Sequence, residues 1–420
     1  MKIRVFTKIL AATFFLFAVL SCSKKNNEPD TEPDFTTDPL NCLCETNNNA
    51  TVLQVGANKT YKTVTAASEA AGDNSIIEID AGTYKGDVAL ALWTKNNLVI
   101  RAVGGEVILD ANGKYIDGKG IWDVRGVKVC VDGITFMNDK VPEQIGAGIR
   151  LTSGNLTVIN CRFLHNEMGI LTANEQPITL TVRNSEFGYG GYGNGFSHNI
   201  YVGHIGRVDI SGCWFHHADK GHLIKSRAAI SHIYSNLIFD GTDNDARASY
   251  SIDIPSGGQA VIVGNIIQKS PNSEQMHVLN FATEFNDKYT TNQIFVAHNT
   301  IINNRNSSNN RLLNAPSSKV EIYLLNNAIP ENTHYNDYRE WDADKGNVVY
   351  QPNDLTASNY PVASLVSEWK SSMEKNINSY LPNTLKNKSL SLVPSHQYDS
   401  RMQVKPLSAA PAIPGAVQTP

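Results

Sequence analysis

Aromatic residues are scarce, 8% of 420, and few stretches repeat apolar residues at helical spacing over any length. Such a chain lacks the wide apolar stripes from which helix bundles are assembled. An excess of positive charge is also missing. Lys and Arg number 36 against 40 Asp and Glu, giving a net charge of -4 and a pI near 6.3. That balance argues against a nucleic-acid-binding body, which needs a basic surface. Nor is there an apolar run long enough to span a bilayer comfortably. Ile9 to Leu20 has only the length of a signal-peptide core.

The flanks of that run are informative. Lys2, Arg4 and Lys8 give it a basic start, and it closes on Val19-Leu20-Ser21-Cys22. A small residue before a Cys at this point resembles the lipobox of bacterial lipoproteins, in which the Cys is acylated and becomes the mature amino terminus. The resemblance implies a signal peptide over 1–21 and lipidation at Cys22, hence a membrane partner. With Ser after the Cys, it further implies an outer-membrane lipoprotein of the cell envelope, periplasmic or surface-exposed. Ser23 to Asn49 is rich in Asn, Asp, Glu, Pro and Thr, so 22–50 reads as a disordered tether. Cys42 and Cys44, one residue apart, make a poor metal motif without further ligands and stay unassigned.

The remaining residues exceed the usual size of one compact core, which points to two domains or to a repeat. A repeat is present. Its unit is a short β-rich run, a small or amide residue, any residue, then a large apolar one. It runs Gly133-Ile134-Thr135-Phe136, Asn160-Cys161-Arg162-Phe163, Asn184-Ser185-Glu186-Phe187 and Gly212-Cys213-Trp214-Phe215. It continues as Ser235-Asn236-Leu237-Ile238, Gly264-Asn265-Ile266-Ile267, His298-Asn299-Thr300-Ile301 and Asn326-Asn327-Ala328-Ile329. Successive copies are 27, 24, 28, 23, 29, 34 and 28 residues apart. Strand-length apolar runs at a loose period suit a β-solenoid whose turns hold register while its loops vary. Asn236, Asn265, Asn299 and Asn327 are expected to stack as an amide ladder. Cys161 and Cys213, two rungs or roughly 9–10 Å apart, are too distant for a disulfide and read as small buried residues.

The opening of the body, Val55-Gly56 through Tyr61-Lys62-Thr63-Val64 to Ile76-Ile77-Glu78-Ile79-Asp80-Ala81-Gly82-Thr83-Tyr84, resembles that of pectate-lyase-like β-helix proteins. The resemblance implies an all-β chain, a right-handed parallel β-helix over 51–345, capped by a short helix at about Val64 to Ala71. Beyond Ile329 the period fades, and 346–420 reads as a carboxy-terminal extension packed on the coil. Val362 to Tyr380 is expected to form one helix, and Pro406 to Ala416 an extended closing segment.

A second strand recurs in each turn: Gly148-Ile149-Arg150, Asn199-Ile200-Tyr201, Leu223-Ile224-Lys225, Ser251-Ile252-Asp253, Val278-Leu279-Asn280 and Leu312-Leu313-Asn314. The middle residue is always apolar and points inward, so the third points out. The outward column is therefore Arg150, Tyr201, Lys225, Asp253, Asn280 and Asn314, with Leu171 filling the rung after Arg150. Arg227 follows on the same side. Three residues earlier runs His198, His222, Tyr250 and His277. Six of the eleven His lie between His198 and His232, including His217. A column of polar residues is often only a solvated face. Here Tyr201, His222, Lys225, Arg227, Tyr250 and Asp253 converge within three turns, about 10 Å.

That set suits β-elimination on a uronate. The reaction needs a base for the C5 proton, a cation at the carboxylate and an acid for the leaving oxygen. Lys225 is the expected base, its pKa lowered by Arg227. Arg227 or a metal ion neutralises the carboxylate, and Tyr201, Tyr250, His198 or His222 supplies the acid. Asp253 holds Lys225 or a His in place. His277, Asn280, Arg150 and His217 are expected to contact the glycan. Lys225-Ser226 resembles the Lys-Ser pair of chondroitinase B and alginate-lyase-type β-helix lyases, which implies a catalytic Lys there. The Arg-His-Gly of the next turn in that family is replaced by Ser251-Ile252-Asp253-Ile254, and its calcium ligands are not identifiable, so Ca2+ is implied by resemblance alone. The Arg-x-Pro-x-x-Arg of pectate lyases is absent. Hydrolysis by paired carboxylates lacks an evident partner for Asp253 unless Asp219, Asp243 or Asp245 approaches. C5-epimerisation shares the proton abstraction, and a non-catalytic glycan-binding face is the remaining alternative.

Overall fold

The computed structural model describes residues 44–45, 49–174, 177–284, 288–335, 341–356, 359–400 and 402–418. The signal run, Cys22 and Cys42 lie outside them.

The chain winds as a parallel β-helix with three ladders. The first holds nine strands: Ala91–Trp93, Gly120–Val124, Ala147–Leu151, Met168–Thr172, Ile200–Val202, Ile224–Ser226, Ile252–Ile254, His277–Phe281 and Arg311–Asn314. The second runs from Val129–Asp132 to Ala343–Lys345 and the third from Ile134–Met137 to Val348–Tyr350. These two are joined at the amino end by the long strands Ser75–Lys85 and Leu98–Asp110, which pair across both. A helix, Val64–Ala70, capped by the Thr63 side chain, packs at that end.

The repeat found in the sequence is the turn from the second ladder to the third. Its first residue has positive φ in all eight copies: 75° at Gly133, 54° at Asn160, 47° at Asn184, 65° at Gly212, 51° at Ser235, 68° at Gly264, 52° at His298 and 56° at Asn326. This left-handed conformation accounts for the Gly and Asn preference there. Its second residue points inward. Asn236, Asn265, Asn299 and Asn327 each donate from Nδ2 to Oδ1 of the next Asn at 2.9, 2.9, 3.1 and 2.9 Å, the last reaching Asn347. Cys161 and Cys213 are buried free thiols, as their spacing requires. The fourth residue stacks in the core: Phe136, Phe163, Phe187 and Phe215 follow one another at 5.1, 4.7 and 4.7 Å between ring centroids.

Three features depart from the sequence reading or were absent from it. The solenoid continues to Tyr350, past the expected boundary at 345. Val362 to Tyr380 is not one helix but an α-helix, Ala363–Ser372, and a 3-10 turn, Ile377–Tyr380; the break follows Met373, an extended residue. And Cys44 is joined to Cys130 in the second ladder, 86 residues away. Closing a loop of that length stabilises by about 4.6 kcal/mol in the chain-entropy account.

The carboxy-terminal extension covers two of the three outer faces. Ile377, Leu381, Leu385, Leu390 and Leu392 pack on Ile230, Val261, Val263, Phe295 and Leu325 of the second ladder. Trp369 and Ile413 pack on Ala328, Val348 and Tyr350 of the third, and Ala416 and Val417 on its Ile266. The outward column of the first ladder has no hydrogen bond or ion pair to the extension among the described residues.

Candidate functional site

Strand pairing places the expected column in register. Arg150 pairs with Leu171, Leu171 with Tyr201, Tyr201 with Lys225, Lys225 with Asp253, Asp253 with Asn280 and Asn280 with Asn314. Alternation along each strand turns Ile149, Ile200, Ile224, Ile252 and Leu279 into the core, where all are buried, and sends the column outward.

Asp253 is the hub. It is 2% exposed. Lys225 Nζ lies 3.2 Å and His222 Nε2 3.1 Å from its Oδ2, and Asn280 Nδ2 donates to its Oδ1 at 2.6 Å. Asn314 in turn donates to Asn280 at 2.9 Å. Burial alone would raise the Asp253 carboxyl, but the His222 bond, the Lys225 charge and the Asn280 bond outweigh it and hold it below the usual carboxylate range. The hydrogen bonds also fix the His222 tautomer. Its Nδ1 accepts the Tyr250 backbone N–H at 3.3 Å, so Nε2 carries the proton and donates to Asp253. Burial pushes the His222 imidazole down, with Asp253 acting against it.

His198 stacks on His222, centroids 4.6 Å apart, and its Nδ1 accepts the His222 backbone N–H at 3.0 Å. It is 2% exposed, and burial drives it well below the usual imidazole range. The expected role of His198 as an acid toward substrate is therefore replaced by a supporting one: the ring faces protein, not solvent. Tyr250 continues the stack beyond His222 at 5.2 Å and is half-buried. His277 is buried on the next rung, its imidazole lowered to about 4 by burial and by Lys269 and Arg311.

Toward the other side, Lys225 Nζ lies 5.7 Å from the Tyr201 ring centroid. Arg227 Nε donates to the Tyr201 oxygen at 3.1 Å, Nη1 to Ser256 at 2.9 Å, and Nη2 pairs with Glu284 at 2.7 Å. Tyr289 donates to the Arg227 carbonyl at 2.6 Å. So the partner of Lys225 is Asp253, while Arg227 is turned to Tyr201, Ser256 and Glu284. Ser256, Glu284 and Tyr289 were missed. Ser256 sits in the noted Pro255-Ser256-Gly257-Gly258 turn. The other two lie in an irregular loop where no period marks them.

Two expected contacts stand apart. Arg150 is two rungs from Tyr201 with Leu171 between, and donates to the Thr172 carbonyl at 2.9 Å. His217 is not brought to this face. It follows the third-ladder strand Trp214–His216, where it meets His216 at 2.7 Å and Asp243 at 2.9 Å and stacks on Tyr189. Asp243 is thereby engaged away from Asp253, and Asp219 pairs with Arg247. The calcium implied by the lyase resemblance finds no fitting ligand set. Among the described residues no three His, Cys, Asp or Glu side chains are grouped to hold a metal ion, and Asp253 already serves three donors.

No protein-family model matches the chain, and no curated protein matches it in sequence. Solved structures do. Pectate lyase Pel9A superposes with a TM-score of 0.50 at 14% identity, over 88% of this chain and 97% of that one. A Geobacillus virus E2 protein, ORF18, aligns with a TM-score of 0.42 at 11% identity, over 64% and 55% of the two chains. A pectin methylesterase from Aspergillus niger aligns at 0.35 and 13% identity, over 79% and 98%. The last two carry no further argument. With the ladders described above, the likeness to Pel9A establishes the architecture: the chain is a right-handed parallel β-helix.

Proposed function

We propose that the protein is a polysaccharide lyase that cleaves a uronate-containing glycan by β-elimination on the first-ladder face. The observation that carries this reading is the partly exposed trio Lys225, Tyr201 and Arg227 above a buried, ionised Asp253. Lys225, once its ammonium has given a proton to solvent, takes the C5 proton, and Asp253 fixes its Nζ. The electrons of the broken C5–H bond form the C4–C5 double bond as the C4–O bond breaks. Tyr201 accepts from Arg227, which leaves its O–H to protonate the departing oxygen. Arg227 neutralises the substrate carboxylate, with the exposed rim residue Glu284 as the partner displaced. The likeness in fold to a pectate lyase is in keeping with an acidic polysaccharide. In the same proposal Cys22 carries a lipid that holds the enzyme at the outer membrane.

Incubation with a panel of uronate polysaccharides, followed by ultraviolet absorbance of the unsaturated product, tests the reaction. Lys225→Ala is expected to lower the rate by roughly 10²–10⁴-fold. Absorbance that survives Lys225→Ala overturns the assignment of the base. New reducing ends without absorbance mean hydrolysis, and inverted C5 without cleavage means epimerisation.

A further inference from the structure

The outer face of the first ladder is bordered by two rows of turns. One is formed by the turns that leave its strands and carries Arg227, Ser256 and Glu284. The other is formed by the turns that enter them. One of these is the loop 189–199, which reads Tyr-Gly-Gly-Tyr-Gly-Asn-Gly-Phe-Ser-His-Asn and delivers His198 to its stack on His222.

This loop concentrates exposed rings. Among the described residues four aromatic side chains are exposed, and three of them are here: Tyr189 at 44%, Tyr192 at 52% and Phe196 at 76%. Exposed apolar residues scattered singly need no explanation, but rings gathered in one turn beside a polar face do. The loop is also held. Asn194 Nδ2 donates to Gln144 Oε1 at 2.6 Å, Ser197 Oγ to the Gln144 carbonyl at 2.8 Å, and the Phe196 N–H to Asn194 Oδ1 at 2.9 Å. The Gly191 N–H reaches the Glu167 carbonyl at 3.0 Å, and the Asp219 N–H reaches the Gly190 carbonyl at 2.7 Å. Gly193 and Gly195, with φ of 85° and 84°, give the backbone a path that side-chain-bearing residues resist. Tyr189 is already used, sandwiched between His165 at 4.8 Å and His217 at 4.7 Å. Tyr192 and Phe196 stack on nothing among the described residues.

We propose that Tyr192 and Phe196 form a sugar-stacking wall, binding the C–H faces of pyranose units next to the one at Lys225. The inference rests on the lyase reading for its substrate class and deepens it. A pyranose has an apolar face that packs on an aromatic ring and a polar edge that does not. A uronate adds a carboxylate. Arg227 on one side suits the carboxylate and the rings on the other suit the sugar face, so this surface selects a uronan over a polyanion without sugar rings. The two sides differ in their response to salt: attraction between exposed charges is screened, and ring stacking is not.

The test is calorimetric titration of the full chain carrying Lys225→Ala, which binds without turnover, with oligouronates, a neutral oligosaccharide series and polyphosphate. Adding Tyr192→Ala and Phe196→Ala together is expected to weaken oligouronate binding about tenfold, by the same factor at low and high NaCl. Adding Arg227→Ala instead gives a loss that shrinks as NaCl rises. Both ring residues are exposed, so circular dichroism should be unchanged. Equal affinity with and without the rings overturns the proposal, as does polyphosphate binding as tightly as oligouronate. A self-associated parent that becomes monomeric on losing the rings also overturns it, by assigning them to a second copy. If the parent binds only neutral oligosaccharides and the ring variant loses them, the wall stands and the uronate reading falls.

Discussion

The outer faces of this solenoid are built on one backbone plan and treated in opposite ways. On the second ladder the outward residues include Ile230, Val261, Val263, Phe295 and Leu325, all buried because the carboxy-terminal extension lies over them. On the first ladder the corresponding positions are Arg150, Tyr201, Lys225, Asp253, Asn280 and Asn314, and the extension leaves them alone. A parallel β-helix needs its inner faces apolar, and nothing in the coil dictates its outer faces. An outward apolar column therefore marks where another part of the chain must dock. An outward polar column with a buried charge in it marks where a stability cost has been accepted, since an ionised carboxylate leaves water only if partners replace it. Asp253 has three such partners.

The sharpest way to break this contrast is to damage the covered side. Phe295 is fully buried and stacks on Tyr323 at 4.5 Å beneath the extension. Phe295→Ala is expected to cost about 3–5 kcal/mol, from lost transfer energy and the cavity left behind. Urea denaturation measures the loss. The proposed lyase activity per folded molecule should be unchanged, because the candidate site lies on another face of the coil. A proportional loss of activity in the folded fraction would show that the two faces are not independent.

Acid acts on both faces next. His298 sits at a turn under the extension, 2% exposed, with its Nε2 accepting from Asn326 at 3.1 Å. Burial lowers its imidazole to about 4, against backbone contacts with Gly415 and Ile413 that raise it. The native state thus keeps His298 neutral while the unfolded chain protonates near 6.5. Stability from this group is complete above about pH 6.5 and is lost as pH falls toward 4, by about 3 kcal/mol. His277, also lowered to about 4 and buried on the first ladder, adds a loss of the same sign. His298→Asn, which tolerates the left-handed turn, should flatten the fall in urea midpoint between pH 6.5 and 4. An unchanged slope in that variant would sink the assignment.

How much of this was legible beforehand follows from the physics of the coil. The amide ladder and the outward column were readable because period-2 alternation and a repeating turn fix inside from outside without reference to anything else. Lys225 next to Asp253 could be placed for the same reason. The side-chain directions at the strand entrances could not. His198 and His222 share the spacing of Tyr250, but whether a ring at that position faces solvent depends on the preceding turn, which alternation does not govern. The partners of Arg227 come from Ser256 and Glu284, in turns of irregular length. The Cys44–Cys130 link joins residues 86 apart, and Cys44 lies ahead of the first strand of the coil, where no repeat marks it.

The smallest expected effect tests where the functional face ends. Arg150 belongs to the outward column, yet Leu171 separates it from Tyr201 by two rungs, roughly 9–10 Å. Its Nη1 is committed to the Thr172 carbonyl, and burial lowers its guanidinium from the usual value, with Asp123 on the preceding rung acting against that. These contacts describe an arginine that seals the column's amino-terminal edge. Arg150→Ala should leave kcat and KM for a short oligouronate within about twofold and cost about 1 kcal/mol in urea denaturation. If KM for long chains rises tenfold while stability holds, the glycan runs further along the first ladder than Tyr201, and the polar column is a binding face over its whole length.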